Sequence, residues 1–189
     1  MRREAKLIEV AAGCLINDAG EVLIAQRPEG KIAAGQWEFP GGKLEAGETP
    51  RAALARELHE ELGIEVLDAR PLIRVTHAYS DRTIRLDCWR ITRWHGEPHG
   101  REAQSFAWVR PEATQAYPIL AADGPILSAL CLSDEYVFTP PTLDTDTLAR
   151  GLPRLPRAAL LRLRLPALDD QAYRQVAARI VPMAHALGL

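Results

Sequence analysis

Cysteine is scarce in this sequence and carries no pattern: Cys14, Cys88 and Cys131 are odd in number, far apart and without a C-x-x-C pair. That excludes a disulfide framework and a cysteine metal site, and three reduced thiols point to a cytoplasmic chain. No apolar run approaches the roughly 18 residues that span a bilayer. The basic opening (Arg2, Arg3, Lys6) is a poor signal peptide, because Glu9 interrupts the apolar stretch and Asn17-Asp18 closes it. Charge of one sign is also lacking, since 23 Lys and Arg against 25 Asp and Glu leave a net charge of −2. Without a basic excess, binding to a nucleic-acid polymer is not expected, whereas a small anion held through a metal is allowed. What is present is ordinary globular material: 189 residues, 47% hydrophobic and 25% charged, enough for one full domain and a remainder.

Along the chain, residues 7–16 are β-rich, the turn NDAG follows, and residues 21–27 read as the returning strand of a hairpin. Residues 28–40 read as loop. Thr49 as N-cap, Pro50 at the first helical position and Gly63 as stop predict a helix between them. Strands are expected over 72–79, 83–94 and 105–109, with a polar loop over 95–104 and a second helix over 123–132. The first 132 residues therefore read as a mostly β domain carrying two helices. Residues 133–189 hold six of the fourteen prolines and read as strand, helix, strand, helix.

The informative stretch is GKLEAGETPRAALARELHEELGI, residues 42–64. On a helix at about 100° per residue, Glu57, Glu60 and Glu61 fall within roughly 100° of one another. Leu54, Leu58 and Leu62 form a separate stripe that must face a core. Like charges at i and i+4 repel, so Glu57 beside Glu61 needs a reason beyond a solvated acidic face. Gly41-Gly42 lets the backbone approach closely and turn a carbonyl toward the acids. Three carboxylates and a carbonyl are hard oxygen donors, suited to Mg²⁺ or Mn²⁺ and not to zinc.

Those residues match the Nudix box at every fixed position: Gly42, Glu48, Arg56, Glu57, Leu58, Glu60, Glu61, Gly63 and Ile64. A chance match is on the order of 10⁻¹⁰ per starting position. The resemblance implies an α+β Nudix fold, a mixed β-sheet sandwiched by helices, and hydrolysis of a nucleoside diphosphate linked to a further group. It implies divalent metal on Glu57, Glu60, Glu61 and the Gly41 carbonyl. Arg56 would orient the carboxylates through a bidentate pair with Glu48. The group that takes the proton from water is left open between Glu57 and Glu102.

Residues 5–132 further resemble the MutT branch of that family, which clears oxidised guanine nucleotides. The likeness rests on AQRPEGK, WEFPGGK, SDRTIRLDCW, HGEPHGREAQ and YPILAADGPIL. It implies that Arg27 contacts phosphate or ribose, that Glu38, Phe39 and Pro40 line the nucleoside site beside Gly41, and that Tyr79 and Arg82 approach the base. Glu102 would join the metal when substrate binds. One position departs: where the branch carries Asn, this chain has Asp123. An amide both donates and accepts, whereas an ionised carboxylate only accepts, so Asp123 would face the O6 of 8-oxoguanine unfavourably unless protonated. From the sequence, selectivity for 8-oxo-dGTP over dGTP is expected to weaken as pH rises. The alternatives are a Nudix enzyme of another nucleotide, such as a CTP-type pyrimidine triphosphate or ADP-ribose, and a non-catalytic nucleotide-sensing module.

Residues 134–189 resemble the opening of a thiamine-phosphate synthase barrel, EYVFTP matching its first strand. Two of eight β-α units cannot close a barrel and leave an open edge, so no synthase activity is expected. Pairing of that edge in a homodimer is expected instead. Light scattering at micromolar concentration checks this, and a monomer whose residues 134–189 resist protease would count against it.

Overall fold

In the computed structural model, which describes residues 6–100, 104–141, 144–156 and 159–189, the helix predicted after Thr49 forms as α1 (Pro50–Leu62). The Thr49 hydroxyl accepts from the Ala52 N–H at 3.3 Å. Gly63 ends the helix at φ +70°, a left-handed conformation that favours glycine. Leu54, Leu58 and Leu62 are fully buried, which turns the acidic face away from the core.

The expected hairpin of the first two strands does not form. β1 (Lys6–Leu15) and β2 (Val22–Gln26) meet at a single bridge, Ile16 with Val22, and then enter different sheets. Residues 11–15 of β1 and 22–25 of β2 are buried on both faces, and the two strands find that cover in different sheets. β1 lies inside a four-stranded mixed sheet, antiparallel to β4 (Gly41–Lys43) and parallel to β6 (Arg82–His95), with β5 (Glu65–Ala78) outermost beside β6. β2 lies between β3 (Trp37–Glu38) and β7 (Phe106–Val109) in an antiparallel sheet of three. β3 falls within residues expected to be loop, and β5 begins before the strand expected from residue 72. The register of β5 against β6 slips between Pro71 and Ile73, where proline offers no N–H.

Period-2 alternation sorts the strands between two cores. Ala12, Cys14, Val22 and Ile24 join Phe39, Cys88, Ala122 and Ile126 in one cluster. Ala11, Leu15 and Leu23 join the α1 leucines and Ile91 in the other. The second helix, α2 (Gly124–Leu130), packs against β5 and follows a 3₁₀ turn at Ala121–Asp123. A further 3₁₀ turn at Pro111–Ala116 was not anticipated from the sequence.

The chain separates into two compact units, Met1–Cys131 and Leu132–Leu189. The second holds β8 (Tyr136–Phe138), α3 (Thr145–Gly151), β9 (Leu160–Arg162) and α4 (Asp170–Ala186), with β8 parallel to β9. Asp144 and Asp169 cap its helices. Leu148, Leu152, Ile180 and Ala184 form its small core, while Tyr136, Phe138 and Leu160 are exposed. Among the described residues no helix is long and apolar enough to cross a membrane.

Candidate active site

On the acidic face of α1 one guanidinium, that of Arg56, joins Glu48, Glu57 and Glu60. Arg56 Nε and Nη2 donate to the two oxygens of Glu48 at 3.1 and 3.0 Å, a bidentate pair. Its Nη1 donates to Glu57 Oε1 at 2.9 Å and to Glu60 Oε2 at 3.3 Å, and Nη2 also reaches the Lys43 carbonyl at 3.1 Å. Glu48 Oε2 additionally accepts from the Glu45 N–H at 3.0 Å, so the partner of Arg56 is itself fixed. The Arg56 hydrogen bonds hold the Glu48 carboxyl below the usual carboxylate range, and Glu48 and Glu57 raise the guanidinium in turn. Glu57 and Glu48 are largely covered, at 17% and 14% side-chain exposure, while Glu60 stays open at 55%.

Opposite this face runs Gly41-Gly42, the start of β4. Gly41 sits at φ +144°, and a Cβ there would lie 2.1 Å from the Ala11 carbonyl oxygen. A Cβ on Gly42 would fall 2.1–2.3 Å from the three carboxyl atoms of Glu57. The Gly41 N–H donates to Glu61 Oε2 at 3.1 Å, while the residue itself pairs with Ala12 of β1. Glu61 thus meets a backbone that only glycine permits, and Glu57 fills the space that a side chain on Gly42 would take. Among the described residues no three His, Cys, Asp or Glu side chains converge as a ready metal cage. The donor set still fits a hard divalent ion: carboxylates of one helix face, a glycine cradle that leaves them room, and Arg56 as the present counter-charge. Glu102 lies outside the described residues.

Residues on the other side of Gly41-Gly42 form a second group. Arg27 Nη1 meets Glu38 Oε2 at 2.5 Å, and Arg27 Nε donates to the Ile32 carbonyl at 2.7 Å. Burial raises the Glu38 carboxyl despite that pair. Asp123, only 3% exposed, accepts from the Phe39 N–H through Oδ2 at 3.1 Å. Desolvation pushes its carboxyl up to about 7, opposed by the Phe39 hydrogen bond and supported by Glu38. The Phe39 ring belongs to the apolar core, so its backbone rather than its ring meets Asp123. Pro40 is buried, its carbonyl accepting from the Gly13 N–H at 2.8 Å.

Tyr79 and Arg82 stand at the tip of the β5–β6 hairpin. The Arg82 guanidinium lies 5.1 Å from the Tyr79 ring centroid and pairs with Asp81 at 2.8 Å. The structure therefore assembles Glu48, Arg56, Glu57, Glu60, Glu61 and Gly41 in one place, and Arg27, Glu38, Phe39 and Asp123 in a neighbouring one. The sequence reading gave no role to Trp37, whose ring meets Tyr117 edge-on at 5.0 Å beside Glu38; its place in WEFPGGK was the available signal.

Gly42→Ala drives a methyl into the Glu57 carboxylate. Turnover of a nucleotide substrate is expected to fall about a hundredfold, the scale of a 1 Å misplacement, with the circular dichroism spectrum unchanged. An unaltered rate would contradict this placement of Glu57.

Comparison with known proteins bears on the same residues. The family model described as a NUDIX domain matches residues 11–129. The chain is 43% identical over 124 residues to the CTP pyrophosphohydrolase of Escherichia coli K12, covering 66% of this chain and 91% of that protein. It is 41% identical over 127 residues to the 8-oxo-dGTP diphosphatase of Haemophilus influenzae, covering 67% of this chain and 93% of that protein. The solution structure of the Escherichia coli ORF135 protein aligns with a TM-score of 0.59 at 42% identity, over 66% of this chain and 89% of that one. A structure described as MutT from Aliivibrio salmonicida and Vibrio cholerae aligns with a TM-score of 0.58 at 36% identity, over 66% of this chain and 97% of that one. None of the matches named here supports the expected likeness of residues 134–189 to a thiamine-phosphate synthase barrel. Over its first unit, with the box residues, the mixed sheet and the match to residues 11–129 in agreement, the chain belongs to the Nudix family of hydrolases.

Proposed function

We propose that this protein is a Mg²⁺-dependent nucleoside triphosphate diphosphatase, with Mn²⁺ as a substitute, that converts 8-oxo-dGTP to 8-oxo-dGMP and pyrophosphate. The observation that carries the reading is the placement of Glu57 and Glu61 against Gly41-Gly42, two residues from the Phe39 amide that Asp123 holds. One end of that segment offers hard oxygen donors, the other a buried polar group able to read a base.

Glu57, Glu60 and Glu61, with the Gly41 carbonyl, would hold the ion. When bound, Mg²⁺ supplies neutralisation of the diphosphate charge and a lowered pKa for attacking water. Arg56 keeps the carboxylates oriented, and Glu48 keeps Arg56 oriented. Arg27 lies beside the base-side group, where its charge suits a phosphate or ribose oxygen, and Glu38 fixes it there. Tyr79 and Arg82 offer a ring and a guanidinium to a base, and Glu102 belongs to the proposal as a further carboxylate. Pairing with a second copy through β8 and β9 belongs to it too, and residues 134–189 are assigned no catalysis.

A second reading, hydrolysis of a cytosine nucleotide, is favoured by Asp123 itself and by the name of the Escherichia coli relative. One oxygen of Asp123 is engaged by Phe39, leaving the other to face a ligand. Ionised, that oxygen accepts from N7–H of 8-oxoguanine or from the N4 amine of cytosine. Protonated, it donates equally to O6 of either guanine.

With one oxygen engaged by Phe39 and the other assigned to N7–H, the proposal carries a pH dependence opposite to the one expected from the sequence. Asp123 is protonated below about pH 7 and ionised above it. The ratio of kcat/KM for 8-oxo-dGTP over dGTP is expected to rise between pH 6 and pH 9; the shared triphosphate titration cancels in the ratio. A flat ratio would remove Asp123 ionisation from base selection.

Colorimetric detection of pyrophosphate against phosphate over a nucleotide panel tests the reaction. Pyrophosphate release is expected, fastest with 8-oxo-dGTP, whereas a preference for CTP selects the second reading. Glu61→Gln should cost at least about a hundredfold in rate, the scale of losing one charge-stabilising group. Full activity in that variant, or no hydrolysis of any nucleotide by the unmodified protein, would overturn the assignment.

A further inference from the structure

Asp123 stands at the start of a helix that it does not cap. It is the N-cap residue of α2, yet its side chain makes no hydrogen bond to that helix. An N-cap Asp ordinarily accepts from amides of the first turn. Here the carboxylate reaches the Phe39 N–H instead, 84 positions away in sequence.

Phe39 opens a run of three residues, each tied to a different element. The Phe39 N–H donates to Asp123, the Pro40 carbonyl accepts from Gly13 on β1 at 2.8 Å, and the Gly41 N–H donates to Glu61 on α1 at 3.1 Å. The run has no slack toward β1, because even a Cβ on Gly41 would lie 2.1 Å from the Ala11 carbonyl oxygen.

We propose that Asp123 is a positioning residue for Glu61: by holding the Phe39 amide it fixes Gly41, whose own amide sets the orientation in which the Glu61 carboxylate meets a divalent cation. The base-side acid thus also aligns the diphosphate end of the site. This rests on the proposed function in that Glu61 is taken to hold the ion. The role needs an acceptor at position 123, not a charge, so asparagine satisfies it and alanine does not.

Calorimetric titration of Mn²⁺ into the nucleotide-free full chain tests this with Asp123→Asn and Asp123→Ala. Asp123→Asn is expected to match the unmodified protein, and Asp123→Ala to bind Mn²⁺ about tenfold more weakly, the worth of one hydrogen bond. Asp123→Ala should also lower kcat, where loss of base contact alone would raise only KM. Unchanged Mn²⁺ affinity in Asp123→Ala overturns the inference alone, as does an equal loss in Asp123→Asn. A wild-type chain that takes up no Mn²⁺ overturns the metal reading as well. Should Asp123→Ala not fold, amide exchange in the unmodified chain decides: Mg²⁺ should change the exchange of Phe39 and Gly41 together, and a Phe39 amide indifferent to Mg²⁺ while Gly41 responds overturns the proposal.

Discussion

Three glutamates within five residues of one helix repel one another, and the site depends on how that repulsion is offset. Arg56 offsets it at Glu57 and Glu60: every nitrogen of its guanidinium is engaged, two against Glu48 and one shared by Glu57 and Glu60, while Glu61 accepts from the Gly41 N–H. A lysine could not do this, because a single ammonium lacks the planar fork that meets one carboxylate bidentately and still reaches two others. Glu48, fixed by the Glu45 amide, anchors Arg56 independently of the acids assigned to the ion. The leucine stripe of α1 is the complementary constraint, since burying Leu54, Leu58 and Leu62 leaves the glutamates no other face.

At Asp123, on the base side, burial rather than an ion pair sets the charge. Asp123 shares an apolar neighbourhood with two thiols, and desolvation raises all three groups, Cys88 to about 12 and Cys14 well above its ordinary value. Those thiols stay neutral and behave as small apolar core residues. Asp123 is different because its raised carboxyl titrates near neutrality, which makes its charge adjustable in the range where the enzyme would work. The segment from Phe39 to Gly41 joins this group to the carboxylates of α1 through main-chain amides alone.

How legible each part was follows from how local its cause is. The limits of α1 were readable because Thr49, Pro50 and Gly63 act within a turn of themselves, and the acidic face because helical spacing is fixed by geometry. The separation of β1 from β2 was not, since the NDAG turn forms as a hairpin turn would and only pairing with distant β6 and β7 decides the partners. β3 and β4 are two and three residues long, too short for any alternation to show. The reach of Asp123 to Phe39 spans 84 positions, so no local pattern announces it. That the Gly41 N–H meets Glu61 was not legible either, because glycine announces close approach but not which of its backbone groups makes a given contact.

The central claim is that the acids of α1, set against Gly41-Gly42, receive a divalent cation. Anomalous scattering from crystals soaked in saturating Mn²⁺ tests it most directly. The account predicts a peak bounded by Glu57, Glu61 and Gly41-Gly42, with Arg56 still on Glu48. Arg56 still spanning Glu57 and Glu60, with no anomalous peak beside them, would contradict it.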